Sequence, residues 1–225
     1  MPLIQEQETQ AYRLGIWKIT ESAQELEAMT GITDAPGKRG SARRSEFLAV
    51  RALARHMGLD CADIAYKPTG KPYLKGYPYA ISISHTKGYA VLLLSPHALS
   101  GIDIEYRSNR VNEVRHKFMH SQEEAWITGL HPSPEAETDL LLVHWCAKEA
   151  LYKAIAQPGI HFCDELRVAP FEAYEAHTDT QEAGQLRPSG SLQGRDIRGG
   201  RTFQMDYWLN ADFVLICCFE AESTQ

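Results

Sequence analysis

In the segment Gly101-Ile102-Asp103-Ile104-Glu105, apolar and acidic side chains alternate, and no other stretch constrains the fold of this chain as tightly. The period of two in a β-strand sends Ile102 and Ile104 to one face and Asp103 and Glu105 to the other. One face must meet a core while the other gathers two carboxylates. A solvated edge strand has this pattern, and so does a binding site for a hard divalent cation, which prefers oxygen ligands. What lies opposite the acids decides between them.

A second segment bears on that choice. Trp145-Cys146-Ala147-Lys148-Glu149-Ala150-Leu151-Tyr152-Lys153 continues a helical pattern that begins near Thr138 and runs to Ile155. Glu149 and Lys153 stand four residues apart, on neighbouring turns, as an ordinary surface ion pair would. The apolar run Leu140 to Val143 and Trp145 point instead to a largely buried helix, where charged groups need a partner, a metal or a ligand. Farther upstream, Ile81-Ser82-Ile83-Ser84-His85 reads as a strand. Neighbours on a strand face opposite ways, so Ser84 and His85 make a poor nucleophile and base pair.

Composition narrows the function classes. The 225 residues include 23 Lys and Arg against 29 Asp and Glu, a net charge of −6, with 44% hydrophobic residues. This is a globular composition, and it argues against general nucleic-acid binding, which needs a basic footprint. The apolar runs Tyr89 to Leu94 and Phe213 to Phe219 fall well short of the roughly 20 residues of a membrane-spanning helix. Met1 to Gln10 is polar and does not read as a signal peptide. The five cysteines form neither a Cys-x-x-Cys pair nor a finger pattern, so a reducing cytoplasm, with no membrane and no nucleic-acid partner, is the expectation.

The order of elements predicts an α+β protein. Tyr12 to Ile19 reads as a strand, Ser22 to Glu25 as a capping box, and Ser41 as the cap of a helix ending near Met57 with Gly58 as its stop. Strands are expected at Ile64 to Tyr66, Tyr79 to Ser84, Tyr89 to Leu94 and Gly101 to Glu105, separated by turns at 68–72 and 86–88. A helix follows from Val111 to Phe118, then a capping box at Ser121 to Glu124 and the long helix. A short strand at Val168 and a hairpin of Phe203 to Leu209 with Phe213 to Phe219 complete the pattern. Residues 172–202, poor in aliphatics, read as an exposed mobile excursion. Two similar α+β subdomains are therefore expected, 1–105 and 106–225, each a small antiparallel sheet packed with helices.

Taken in order, Gly-Lys-Pro at 70–72, Ile-Ser-His at 83–85, Gly-Ile-Asp-Ile-Glu at 101–105 and Trp-x-x-Lys-Glu-Ala-x-x-Lys at 145–153 resemble the motifs of the 4′-phosphopantetheinyl transferase superfamily. The chain's length is similar to the monomeric, pseudo-dimeric surfactin-synthetase type, which implies an active site at the interface of the two halves. The resemblance implies transfer of 4′-phosphopantetheine from coenzyme A to a serine of an acidic carrier protein, releasing adenosine 3′,5′-bisphosphate. It implies Mg²⁺, with Mn²⁺ an accepted substitute, on Asp103, Glu105 and Glu149, and catalysis by Glu149 and Lys153. Coenzyme A would meet Arg51, Lys71, Ser84, His85, Asp103, Lys148 and Lys153. Relatives carry lysines ahead of the early helix, where this chain has Glu21 to Glu27, so Lys38, Arg39, Arg43 or Arg44 would substitute. The basic cluster after the acidic strand, with Arg110 and Arg115, is the expected dock for the carrier. A Mg²⁺-dependent phosphodiesterase and a non-catalytic carrier-binding module are the alternatives.

Overall fold

The computed structural model describes residues 3–37, 40–172 and 187–221. In chain order the strands and helices are β1 (Leu3–Glu8), β2 (Arg13–Lys18), α1 (Ala23–Thr30), α2 (Ala42–His56), β3 (Ile64–Tyr66), β4 (Pro72–Leu74), β5 (Ala80–Thr86), β6 (Tyr89–Ser95) and β7 (Ser100–Tyr106). They continue with α3 (Arg110–Val114), α4 (Ser121–Gly129), α5 (Pro134–Ile155), α6 (Phe162–Glu165), β8 (Leu166–Val168), β9 (Gly190–Asp196), β10 (Arg201–Leu209) and β11 (Phe213–Glu220). The expected α+β architecture of antiparallel sheets packed with helices is what forms.

Two antiparallel sheets, ordered β1-β2-β6-β5 and β7-β11-β10-β9-β8, lie between helical layers, while β3 and β4 form a separate hairpin. Strand alternation explains the stacking. In β6, Ala90, Leu92 and Leu94 pack with Leu48, Leu53 and other residues of α2. Tyr89, Val91 and Leu93 turn the other way and meet Ile102 and Ile104 of β7 and Leu215 and Cys217 of β11. In β11 the alternate residues Val214, Ile216 and Cys218 pack with Ala147, Ala150, Leu151 and Ala154 of α5. The order of layers is thus α1 and α2, sheet, sheet, α5. Strands β6 and β11 read as unbroken apolar runs because both of their faces are covered. Burying each Leu, Ile or Phe there contributes roughly 1.5–3 kcal/mol.

Local signals set the helix ends. Ser22 and Glu25 form the expected capping box, and Ser41 accepts the Arg44 amide at the start of α2. The second box begins one residue earlier than its sequence suggested: His120 is the cap, its Nδ1 accepting from Gln122 N while Glu123 accepts the His120 amide. The helix expected over Val111 to Phe118 is split into α3 and a 3₁₀ turn at Arg115–Lys117.

Two expectations are corrected. β1 arises from a stretch read as plain polar terminus; it pairs with β2 from Leu3↔Lys18 to Glu8↔Arg13. The excursion expected over 172–202 contains β9, which is bonded to both β8 and β10. β9 has one inward aliphatic, Leu192; its other inward positions are Gly194, a Cβ on which would lie 2.2 Å from Met205 Cε, and Asp196, held by Arg201 and the Gly199 amide. A strand that buries a glycine and a carboxylate has no apolar alternation to read. Residues 173–186, the rest of that stretch, lie outside the described residues.

One glycine positions the strand on which the site depends. A Cβ on Gly101 would lie 2.1 Å from Ala150 O and 2.9 Å from Ala154 N, so only glycine lets β7 seat on the α5 backbone. Gly101→Ala should destabilise the protein by about 3 kcal/mol, the upper end of overpacking costs, because helix backbone cannot step aside. Urea denaturation monitored by circular dichroism measures this.

Candidate active site

Seating β7 on α5 turns Asp103 and Glu105 toward the helix and Ile102 and Ile104 toward the other sheet, as alternation requires. Asp103 is only 4% exposed. Its Oδ1 accepts Lys153 Nζ at 2.6 Å and Ser84 Oγ at 2.8 Å, and the same ammonium donates to Ser84 Oγ at 2.8 Å. Three motifs, from β5, β7 and α5, therefore converge on one carboxylate. Glu105 Oε1 accepts Trp145 Nε1 at 2.9 Å.

Charge in this cluster is incompletely balanced. Burial, then the negative charge of Asp103, raise Glu149 to about 7, with Lys153 opposing and Glu105 adding to the rise. Burial and Asp103 likewise raise Glu105, against the Trp145 hydrogen bond and Lys153. Burial acts against the charged form of Lys153, but the charge and hydrogen bond of Asp103 together with the charge of Glu149 outweigh it and the pKa rises. One ammonium serves three carboxylates. The Oδ2 atom of Asp103 is buried without a hydrogen-bond partner. An orphaned carboxylate oxygen and acids that repel one another suit a cation in donor type. Among the described residues, however, no group of three His, Cys, Asp or Glu side chains is gathered closely enough to hold a metal ion.

Beside this cluster lies a cavity of about 460 Å³ lined by Arg43, Arg51, Tyr66, Ser84, His85, Asp103, Glu105 and Lys153. The Arg51 guanidinium is 3.8 Å from the Phe47 ring centroid and donates to Tyr66 Oη at 2.9 Å, which holds it stacked and aimed. His85 Nδ1 is 3.2 Å from Glu46 Oε2. A second cavity, about 530 Å³, shares Gly70, Pro72, Ile83 and Lys153 with the first and is bounded by Tyr152 and Pro158. Lys71 lines it and donates to Ala154 O at 2.6 Å. Burial and the nearby Lys67 lower its pKa.

Other basic candidates are engaged elsewhere. Lys148 points into the C-terminal core, wholly buried, and donates to Glu123 Oε2 and Phe118 O at 2.6 Å each and to Phe162 O at 3.1 Å. It is a structural lysine and does not line the cavity, contrary to its expected contact with coenzyme A. Arg44 is also structural, donating to Glu27, Thr33 O and Ala35 O. Of the four expected substitutes Arg43 faces the cavity, and Lys38 and Arg39 lie outside the described residues. Arg115 is paired with both Glu124 and Glu137, whereas Arg110 borders an approximately 350 Å³ groove with Glu105, Val111, Val114 and Trp145.

Sequence reasoning missed Phe47 and Tyr66 as parts of the cavity and Glu46 as the partner of His85. Phe47 and Arg51 share a helix face at i and i+4, which was legible; Glu46 and Tyr66 reach their partners only through the tertiary fold.

Lys148→Ala leaves Glu123, itself 3% exposed as a side chain, buried and unpaired. The expected loss is about 3–5 kcal/mol, read from the urea midpoint. A different signature is expected at Glu149. The folded protein binds its proton more tightly than the unfolded chain, so the charged form costs stability above pH 7 and that cost fades as pH falls. Glu149→Gln should raise the thermal midpoint at pH 8 in metal-free buffer, and the gain should disappear by about pH 4.5, the ordinary glutamate value.

Comparison with known proteins places this geometry. A family model described as the 4′-phosphopantetheinyl transferase superfamily matches residues 100–212. The 4′-phosphopantetheinyl transferase AcpT of Escherichia coli strain K12 is 32% identical over 125 residues, covering 52% of this chain and 63% of that protein. The protein of the same name from Escherichia coli O157:H7 matches to the same extent. The chain thus aligns with somewhat under two thirds of these relatives' length. The matched half begins at β7 and takes in α5, the two elements whose contact builds the carboxylate cluster, and the chain belongs to the 4′-phosphopantetheinyl transferase superfamily.

Proposed function

We propose that the protein transfers the 4′-phosphopantetheine group of coenzyme A to a serine of an apo carrier protein and releases adenosine 3′,5′-bisphosphate. The observation that carries this reading is the convergence of Ser84, Asp103 and Lys153 beside a cavity that also holds Arg51 and His85. A dinucleotide-like substrate with a pyrophosphate and a separate 3′-phosphate needs cationic groups at two places, and the cavity supplies them. Lys153 is suited to the pyrophosphate oxygens; Arg51 and His85 are suited to the nucleotide phosphate.

In the reaction the carrier serine oxygen forms a bond to the phosphorus on the pantetheine side, the bond to adenosine bisphosphate breaks, and the serine proton leaves. Glu149, with its pKa near neutrality, is matched to receiving that proton. Mg²⁺ or Mn²⁺ held by Asp103, Glu105 and Glu149 would neutralise the charge that develops on the pyrophosphate. The free Asp103 Oδ2 and the mutual repulsion of these acids support that assignment, in which the three side chains, not gathered around one point in the fold, would draw together on the ion. Lys71, beside the second cavity, is suited to coenzyme A through backbone positioning of the α5 end more than through its own charge.

The carrier would dock at the groove beside Arg110, whose apolar floor of Val111, Val114 and Leu142 adjoins Glu105. Arg115, already twice paired, contributes less. We also propose the division into halves 1–105 and 106–225, with β7 at the seam, the monomeric two-halved surfactin-synthetase type, and a cytoplasmic location. Within one chain, β5 from the first half and α5 from the second both line the cavity.

The test incubates the protein with coenzyme A, Mg²⁺ and an apo carrier protein and follows the carrier by mass spectrometry. A gain of one phosphopantetheine is expected. Asp103→Asn should reduce turnover on the order of 10²-fold, and Arg110→Glu should raise KM for the carrier while leaving KM for coenzyme A unchanged. Cleavage of coenzyme A with an unmodified carrier would identify a phosphodiesterase, and binding without either product would identify a carrier-binding module.

A further inference from the structure

The seam between the two sheets runs along β5 and β7, the terminal strands of separate sheets. They travel side by side in the same direction. Among the described residues, their contact is made by side chains and not by a main-chain ladder. Ser82 Oγ accepts the Ile102 amide at 3.0 Å, Ser84 Oγ donates to Asp103 Oδ1 at 2.8 Å, and Thr86 Oγ1 accepts the Tyr106 amide at 3.2 Å. The hydroxyls sit at i, i+2 and i+4 of β5 and are 3%, 6% and 8% exposed.

Their position on the sheet is unusual. Across the ladder from them, β6 carries Leu93, Val91 and Tyr89, all of which belong to the apolar core between the sheets. A β5 with the same chemistry as β6 would carry aliphatics at 82, 84 and 86. Aliphatics would pack equally well against Ile102 and Ile104 but could not satisfy the amides on the free edge of β7, and an unpaired buried amide costs about 1–3 kcal/mol. The hydroxyls therefore replace the ladder that β7 lacks on this side. They also fix how far β7 stands from β5, and so where Asp103 lies between Ser84 and Lys153.

We propose that Ser82 and Thr86 are positioning residues: their two hydroxyl to amide bonds, one on each side of Asp103, clamp β7 against β5 and hold the Asp103 carboxylate in register with Ser84 and Lys153. Neither residue lines the cavity around Asp103, and Ser82 borders the second cavity beside Lys71. The kinetic part of the inference rests on the transfer reading; the structural part does not.

Thr86→Val keeps the shape and removes the acceptor, and Ser82→Ala removes the other. Amide hydrogen exchange should accelerate by about five- to tenfold at Tyr106 in the first and at Ile102 in the second, the equivalent of one lost hydrogen bond. The value of kcat per folded molecule should fall between roughly tenfold and a hundredfold in the double variant, as expected for a misplaced catalytic carboxylate. Thr86→Ser alone, which keeps the acceptor, should retain both the slow exchange at Tyr106 and the turnover. A crystal structure of the double variant should show Asp103 moved away from Lys153. A lowered thermal midpoint with unchanged kcat would overturn the proposal in favour of a purely structural role. Unchanged exchange, or an unmoved Asp103, would overturn it whatever the enzyme's reaction proves to be. If the unmodified protein transfers nothing to any carrier, the transfer reading fails, and the exchange and crystallographic measurements still decide the clamp.

Discussion

The active cluster depends on one close approach, the seating of β7 against α5 where Gly101 meets the backbone of Ala150 and Ala154. A side chain there would push the strand from the helix, and the distance from Asp103 to Lys153, 2.6 Å, would be the first casualty. The same approach orients the strand. With Gly101 against α5, the alternation of β7 turns Asp103 and Glu105 toward the helix that bears Glu149 and Lys153, and Ile102 and Ile104 into the core between the sheets. Packing and chemistry are thus two faces of a single strand.

Electrostatics then divide the charged residues into two populations. Lys148 and Glu123 neutralise each other inside the C-terminal core, where Glu123 also accepts the Val168 amide and joins α4, α5 and β8. Arg44 and Arg115 similarly answer to nearby acids and carbonyls. What remains around Asp103 is unequal: Asp103, Glu105 and Glu149 face the single ammonium of Lys153, and Asp103 Oδ2 is left without a partner. Such an imbalance is costly in a folded protein, because each buried carboxylate raises the cost of ionising its neighbour. The raised Glu149 is the clearest mark of it, because burial alone and Asp103 both push in the same direction.

The two sheets are held together by more than the shared core. Tyr12 Oη donates to Asp206 at 2.5 Å and Tyr89 Oη to Asp212 at 2.6 Å, each crossing from the first sheet to the second. Their rings pack on Trp208 and Phe213. These contacts lie away from the cavity, which opens beside the β5 and β7 seam. The cavity is there because two sheets meet at an edge without merging.

Much of this was written in the sequence. Period-two alternation in 101–105 and period-3.6 spacing in 138–155 determined which side chains share a face, and caps at Ser22 and Ser41 determined where helices start, because these are local consequences of backbone geometry. The motif order was enough to indicate the family. Partners were not determined locally. Lys148 and Lys153 sit in one motif, five residues apart, yet one closes a buried ion pair with Glu123 and the other meets Asp103; only the packing of α4 and β7 on different sides of α5 separates them. β9 was illegible because its inward positions hold Gly194 and Asp196, residues whose burial makes sense only once Met205, Leu151 and Arg201 are in place. Ser82 read as an ordinary strand residue and Thr86 as part of a turn until the free edge of β7 arrived to use their hydroxyls. Local sequence sets direction and periodicity, whereas the satisfaction of a buried charge or amide depends on residues far along the chain, and that is decided only when the sheets and helices close on one another.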